Sequence, residues 1–256
     1  MAERRRLLIE PVRLKANIGI DNVLPLRHHE VHYLRRVLRL RGGDAISIVD
    51  GDGHLWEATL NVENSLKLSS PLNSPLQKEI RPKPLIGVAV VIPKRGFDEF
   101  LRMSCEIGVD IIQPLSSEFS VVRGDGDDRI KRRESIIREA IEQSERLWKP
   151  ELRNILDVRV WLMEKPDKAV FGFATTRSHK AIDCHMWMMT LKDEIEQIWM
   201  VIGPEGGWTK GENLFARKVG CIQVQFGESI LRTSTAAVAA TQLMVGWRRN
   251  CAHYDY

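Results

Sequence analysis

The stretch "GPEGGWTKGE" (Gly203–Glu212) follows the apolar run "IWMV" and precedes what reads as the start of a helix. A glycine-rich turn between strand and helix lets backbone amides face a ligand. Gly203, Gly206 and Gly207 permit close backbone approach, and Pro204 stiffens the turn. The pattern lacks the lysine of a phosphate loop, and no G-x-G-x-x-G with a later acid is present. Glu205 would repel a polyphosphate. A ligand with a cationic centre or exposed donors suits this loop better. Taken alone, the stretch fits a tight strand-to-helix turn equally well.

A second candidate is "FGESILRTSTAAVAATQLM", after the apolar run "CIQVQF". Gly227 ends the strand, and Thr233 or Ser234 can cap the helix that follows. Arg232 sits at that junction beside small residues, a poor choice for stability alone. A surface arginine next to a cap is the bland alternative. In "AIEQSERLWKPEL", Glu142, Gln143 and Arg146 would share one helical face, which more often means a solvated surface. The acids of "RGDGDD" (123–128) have no metal-ligand spacing, so no metal is expected.

Elements must position these groups, and the chain is long enough for one large domain or two smaller ones: 256 residues, 43 % hydrophobic. Up to Leu72 the signals are β-like. "RRLLIEPVRL" reads as extended, with a proline that keeps it from a central strand. "DAISIVDGDG" and "HLWEATLNV" read as a hairpin about Asp50–Gly53, and "LKLSSPL" as a third strand. One helix, "HEVHYLRRVLRL", places Val31, Leu34, Val37 and Leu38 at helical spacing. The expectation is a small β-barrel over 1–72. Residues 73–84, with three prolines, read as a linker.

From residue 85 to 256 the grammar becomes strand and helix in alternation. "LIGVAVVI", "VDIIQPL", "AVFGFA", "IWMVIG" and "CIQVQF" are apolar runs. "GFDEFLRMSCEIGV" and "DRIKRRESIIREAIEQSERLW" read as amphipathic helices, the second with Ile130, Ile137, Ile141 and Trp148 in register. This predicts an α/β fold, a parallel sheet covered on both faces. "TKGE" predicts a capping box of Thr209 and Glu212.

Charge is nearly balanced, 38 Lys+Arg against 34 Asp+Glu, but the first 41 residues are rich in arginine. Arginine suits bidentate phosphate contacts. Four scattered cysteines without a C-x-x-C argue against structural zinc and for a reducing compartment. The N-terminus carries no apolar signal segment, and the longest apolar run is too short for a bilayer. A soluble, cytoplasmic protein is expected.

"IGPEGGWTKGE" and "FGESILRTSTAAVAA", in that order, resemble the two signature loops of the RsmE family of 16S ribosomal RNA uracil-N3 methyltransferases, in the SPOUT superfamily. "HEVHYLRRVLRLRGGD", "CEIGVDIIQPLSSEFSVV" and "EAIEQSERLWKPEL" extend the resemblance over nearly the whole chain. It implies a PUA-like RNA-binding barrel, a C-terminal SPOUT domain with a trefoil knot, and a homodimer. It implies S-adenosylmethionine held by Gly203, Pro204, Glu205, Gly206, Gly207, Phe226, Gly227, Ile230, Leu231, Arg232 and Thr233, completed by Phe173, Ala174 and Thr175. Arg232 is the candidate catalytic residue. Candidate RNA contacts are Arg4, Arg5, Arg6, Arg35, Arg36, Arg39, Lys94 and Arg146, with 16S ribosomal RNA of the small subunit as partner. Two departures stand out: Ser229 replaces a usual arginine, and Ser234 a usual glutamate. The alternatives are a SPOUT enzyme with another RNA target and a catalytically weak RNA-binding or assembly module.

Overall fold

The computed structural model describes residues 5–19, 21–122, 124, 126–176, 178, 180–191 and 195–252. The chain divides into two units, Met1–Arg81 with Ile141–Lys149, and Pro82–Ala140 with Pro150–Tyr256.

In the first unit the elements are β1 (Arg6–Leu8), α1 (Pro11–Asn17), β2 (Val23–Pro25), α2 (His28–His32), β3 (Ala45–Val49), β4 (His54–Leu60), β5 (Ser65–Leu68) and β6 (Gln77–Lys78). Strand order is β1-β3-β4-β5-β2, with β6 also on β4. β1 ends the row, paired in parallel with β3 alone. Alternate residues of β4 pack inward with Leu7, Leu24, Leu34, Ile48 and Leu66 into one core. The hairpin turn is held by Asp50, whose carboxylate accepts from Asp52 N (2.8 Å), His54 N (3.0 Å) and His54 Nδ1 (2.8 Å).

Four details differ from the sequence reading. Pro11 opens α1 instead of lying in extended chain, because a proline at the first helical position gives up no intrahelical donor. α2 continues as a π-helical turn, Tyr33–Val37, closed by Leu38 N donating to Tyr33 O (2.9 Å). The wider turn shifts the register, so Leu34 is buried while Val37 is exposed. Gln77–Lys78, inside the stretch expected as linker, pairs with β4. The long helix ends at Ser144, because Glu145 adopts a left-handed φ of 60°. Trp148 therefore lies off that helix and bridges to Asp52 within the first unit.

A buried ion pair anchors α1. Arg13 and Glu30 are 6 % and 2 % exposed. The guanidinium meets the Glu30 carboxylate through both of its terminal nitrogens, 2.7 Å for Nη2 to Oε2. It also donates to Pro25 O (3.1 Å), and Arg27 N donates to Glu30 (2.8 Å). Burial pushes the Glu30 carboxyl up. The hydrogen bonds from Arg13 and Arg27 and the charges of Arg13 and His29 outweigh it and leave the group below its ordinary value.

The second unit contains β7 (Leu85–Val91), α3 (Phe97–Ile107), β8 (Ile111–Ser116), α4 (Asp127–Ser144), β9 (Glu151–Leu152), β10 (Leu156–Asp157), α5 (Val158–Met163), β11 (Ala169–Ala174), β12 (Ile182–Asp183), α6 (Cys184–Met189), β13 (Gln197–Ile202), α7 (Lys210–Lys218), β14 (Ile222–Gln225) and α8 (Thr233–Ala252). The last residues of α4 group with the first unit. The sheet is parallel throughout, in the order β10-β8-β7-β13-β11-β14-β12, with β9 on β8. β7 and β13 are buried along nearly their whole length, as central strands covered on both faces must be. The Trp199 indole lies across Gly87, where a Cβ would stand 2.3 Å from the ring. Trp161 meets it edge-on at 5.1 Å and Phe171 stacks at 6.4 Å. Arg248 of α8 joins Asp110 in a buried ion pair and donates to Pro84 O (3.1 Å). Among the described residues no helix is long and apolar enough to cross a membrane.

Candidate active site

All strands of the sheet point the same way, so the loops after β11, β13 and β14 emerge at one edge. That carboxyl edge is where open α/β sheets bind ligands. A cavity of about 460 Å³ opens there, within the range of small-molecule sites. Its walls include Ala174 and Thr175, the whole run Gly203–Gly207, then Phe226, Gly227, Ile230, Leu231 and Thr233.

The two glycine-rich loops are joined. The hydroxyl of Thr233 donates to Gly203 O at 2.9 Å, and Thr233 is only 4 % exposed. The first loop is closed by Gly207 N donating to Pro204 O (2.9 Å), with Gly207 at φ 73°. Gly227 turns the second loop at φ 91°. A Cβ at Gly207 or Gly227 would meet nothing within 4 Å. At both positions it is the left-handed backbone, and not lack of room, that calls for glycine. Thr209 and Glu212 form the expected capping box, ending the loop and starting α7.

Trp208 gives the cleft its floor. Its Nε1 donates to Ala174 O at 2.9 Å, and its ring stacks on Phe173 with centroids 4.5 Å apart. Gly203 must be glycine here, since a Cβ would lie 2.7 Å from that indole. Phe173 is fully buried and supports the floor; its ring is not on the cleft wall. Arg232 is exposed beside the second loop and is not on the wall either. Its carbonyl accepts from Ala236 N at 2.8 Å, so it stands at the cap of α8.

Other wall residues went unread in the sequence. Trp208, Asn213, Arg217, Gln223, Gln225 and Glu228 belong to this set. Gln223 Nε2 donates to Asn213 Oδ1 at 3.3 Å, and Ser178 Oγ donates to Gln223 Oε1 at 2.9 Å. The alternation of "IQVQ" was the available signal, since it puts two glutamines on one side of a strand at its carboxyl end. Among the described residues no group of three or more His, Cys, Asp and Glu side chains could hold a metal ion.

The candidate RNA-contacting cations fall into distinct settings. Arg4 lies outside the described residues. Arg5, Arg36 and Arg39 are exposed, and so is Lys94, just after β7. Arg6 pairs with Glu145 at 3.0 Å. Arg35 donates to Asn61 O at 2.7 Å, and to Leu40 O and Asn64 Oδ1 at 3.3 Å each. Its guanidinium thus closes loops of its own unit, which argues against a phosphate role. Arg146 is half-buried and follows the end of α4, so it cannot share a helical face with Glu142 and Gln143.

Fold and cleft define a parallel α/β unit with a ligand cleft at the carboxyl edge of its sheet, and comparison with known proteins gives its class, an RNA methyltransferase. The model of an RNA methyltransferase domain matches residues 81–245, and that of an RNA methyltransferase PUA domain matches residues 26–69. The chain belongs to the ribosomal RNA small subunit methyltransferase E family. The family member from Synechocystis is 31 % identical over 240 residues, covering 92 % of this chain and 75 % of that protein. The Bacillus subtilis member is 27 % identical over 218 residues, covering 82 % and 85 %. The crystal structure of the Neisseria gonorrhoeae member bound to S-adenosyl methionine aligns with a TM-score of 0.78 at 27 % identity, covering 94 % of this chain and 97 % of that one.

Proposed function

We propose that this chain transfers a methyl group from S-adenosylmethionine to N3 of a specific uridine in 16S ribosomal RNA. The cleft carries this reading: two glycine loops at the carboxyl edge of the sheet, tied by Thr233 to Gly203. S-adenosylmethionine would supply an electrophilic methyl on a sulfonium centre. Backbone amides and carbonyls of Gly203–Gly207 and of the loop from Phe226 to Leu231 would hold it, while the exposed Glu205 at the rim suits its positive charge. The methylated nitrogen must lose a proton, and a nearby cation stabilises the imide anion that remains. Arg232, at the cap of α8 beside the second loop, is assigned that role.

The remaining parts of the proposal follow from the same reading. Residues 1–72 grip RNA through phosphate contacts, with Arg5, Arg36 and Arg39 as the exposed cations of that surface, and residues 85–256 carry the chemistry. A trefoil knot in the second unit is part of the same proposal and rests on the family resemblance of its two loops, since strand order by itself does not define a knot. A homodimer working in the cytoplasm completes the proposal.

The test is direct. Purified protein is incubated with S-adenosylmethionine and small subunits lacking the modification, and the ribosomal RNA is digested for mass spectrometry. The expected product is 3-methyluridine. A 2′-O-methyl nucleoside or another methylated base would replace the proposed target, and no transfer despite cofactor binding would favour an assembly role. Arg232→Ala should lower turnover about 100-fold or more while leaving the fold intact.

A further inference from the structure

Immediately after β8 the chain makes a tight turn. Ser120 N donates to Ser117 O at 3.1 Å, and Ser120 Oγ both donates to Ser117 O (2.8 Å) and accepts from Ser117 N (3.1 Å). Both serines are buried. Between them, Glu118 N donates to Glu212 Oε1 at 2.9 Å. Glu212 is 3 % exposed, and its other oxygen accepts from Thr209 N at 2.9 Å. The turn is therefore fixed to the start of α7, where the first glycine loop ends.

This rigid turn holds an aromatic ring outward. Phe119 is 54 % exposed. A Cβ on Gly206 would stand 3.5 Å from Phe119 Cβ and 3.7 Å from the ring. The ring thus stands against the central glycine of the loop that lines the cleft. Its surroundings are charged. Arg159 pairs with Glu118 at 3.5 Å, and those side chains are 47 % and 59 % exposed. Val121, two residues on, is exposed as well, at 69 %, so a subunit contact is the competing use of this face, and the oligomeric state of a Phe119 variant tests it.

We propose that Phe119 is the face on which the target base stacks after it leaves the RNA. This rests on the reading that uracil N3 is the methylated atom. N3 lies on the pairing edge, so the base must be unpaired or extruded before reaction. An extruded base loses its stacking neighbours, and proteins that bind such bases replace them with aromatic side chains. Phe119 supplies such a face beside Gly206, one of the residues that line the cleft, although the ring itself is not on the wall; it sits on a turn that needs no further ordering. Stacking is indifferent to the pairing edge, so it leaves N3 free to face the methyl donor.

Phe119→Ala and Phe119→Tyr test this in the full chain, with unmodified small subunits as substrate. Phe119→Ala is expected to lower kcat/KM for RNA about 10-fold or more, with unchanged Kd for S-adenosylmethionine and unchanged melting temperature. Phe119→Tyr should restore most of that loss. Three results would overturn the stacking role: near-normal kcat/KM in Phe119→Ala, loss of cofactor affinity in parallel, or no rescue by tyrosine. A change of oligomeric state in Phe119→Ala would instead assign the ring to a subunit contact. If the wild-type protein itself made no 3-methyluridine, the target reading would fail and the stacking role with it, a result distinct from any difference between variants.

Discussion

Replacing Thr233 by valine removes one hydroxyl and little else. The side chain keeps its volume and its β-branch at the start of α8. What disappears is the 2.9 Å hydrogen bond to Gly203 O that joins the two glycine loops. A buried acceptor left without its donor costs about 1–3 kcal/mol. Gly203 is half-buried and borders an open cleft, so water can partly replace the hydroxyl. That puts the cost near the lower end, about 1 kcal/mol. The effect should appear twice. Thermal unfolding of the second unit should move down by about 2–4 °C. The Kd for S-adenosylmethionine should rise by at most about 5-fold, to the extent that the free loops relax and must be ordered again by the ligand; the share of the cost kept in the free protein shows in stability alone. Calorimetric titration measures the affinity and scanning calorimetry the stability. Thr233→Ser, which keeps the hydroxyl, should stay close to wild type in both. Lower stability with unchanged affinity would refute the argument, because it would make Thr233 a helix-start residue with no part in shaping the cleft.

Further expectations concern the first unit and the buried thiols. Arg36→Ala with Arg39→Ala should weaken RNA binding and flatten its salt dependence by about 0.7–0.9 log units for each phosphate no longer neutralised, whereas Arg35→Ala should chiefly destabilise the unit; filter binding across a salt series separates the two. Glu30 titrates lower in the folded chain than in the unfolded one. Its stabilisation is therefore complete above the ordinary carboxylate pKa and is lost as pH falls through the lowered folded value. Hydrogen exchange of the first unit's amides should follow that loss, and Glu30→Gln should flatten it. Burial, and for Cys184 the charge of Asp183, pushes the thiols of Cys184 and Cys221 up to about 12 and about 11. Both should resist iodoacetamide at pH 8 in the native protein and react once it unfolds, as read by peptide mass spectrometry.

Long apolar runs were legible because a strand buried on both faces is written as an unbroken string, as in "LIGVAVVI". The capping box of Thr209 and Glu212 was legible because it is local. Two-residue strands such as β9, β10 and β12 carry no period to detect. α5 and α6 are six residues each, too short for an amphipathic pattern. Their starts were nevertheless written in the chain: Asp157 and Asp183 each cap two backbone amides. The order of strands was not legible, since it depends on pairing between distant segments. Trp208 was missed for the same reason. Its place in the cleft follows from a hydrogen bond to Ala174, and the intervening sequence says nothing of it.

Ser234 shows how a difference from a family pattern changes meaning once its neighbours are known. A serine where glutamate is usual suggests a missing acid in the chemistry. In the structure Ser234 does not line the cleft. It packs against Gly96, the cap of α3, which has φ 86°. A Cβ on Gly96 would stand 2.8 Å from Ser234 Oγ and 3.1 Å from its Cβ. The small side chain and the bare backbone are therefore one arrangement, which lets the start of α3 cross the first turn of α8. A glutamate at 234 would have to turn away from Gly96 or push the two helices apart. The serine is thus explained by packing, which leaves Glu205 and Glu228, the two carboxylates on the cleft wall, as the side chains there with the chemistry to take up a proton.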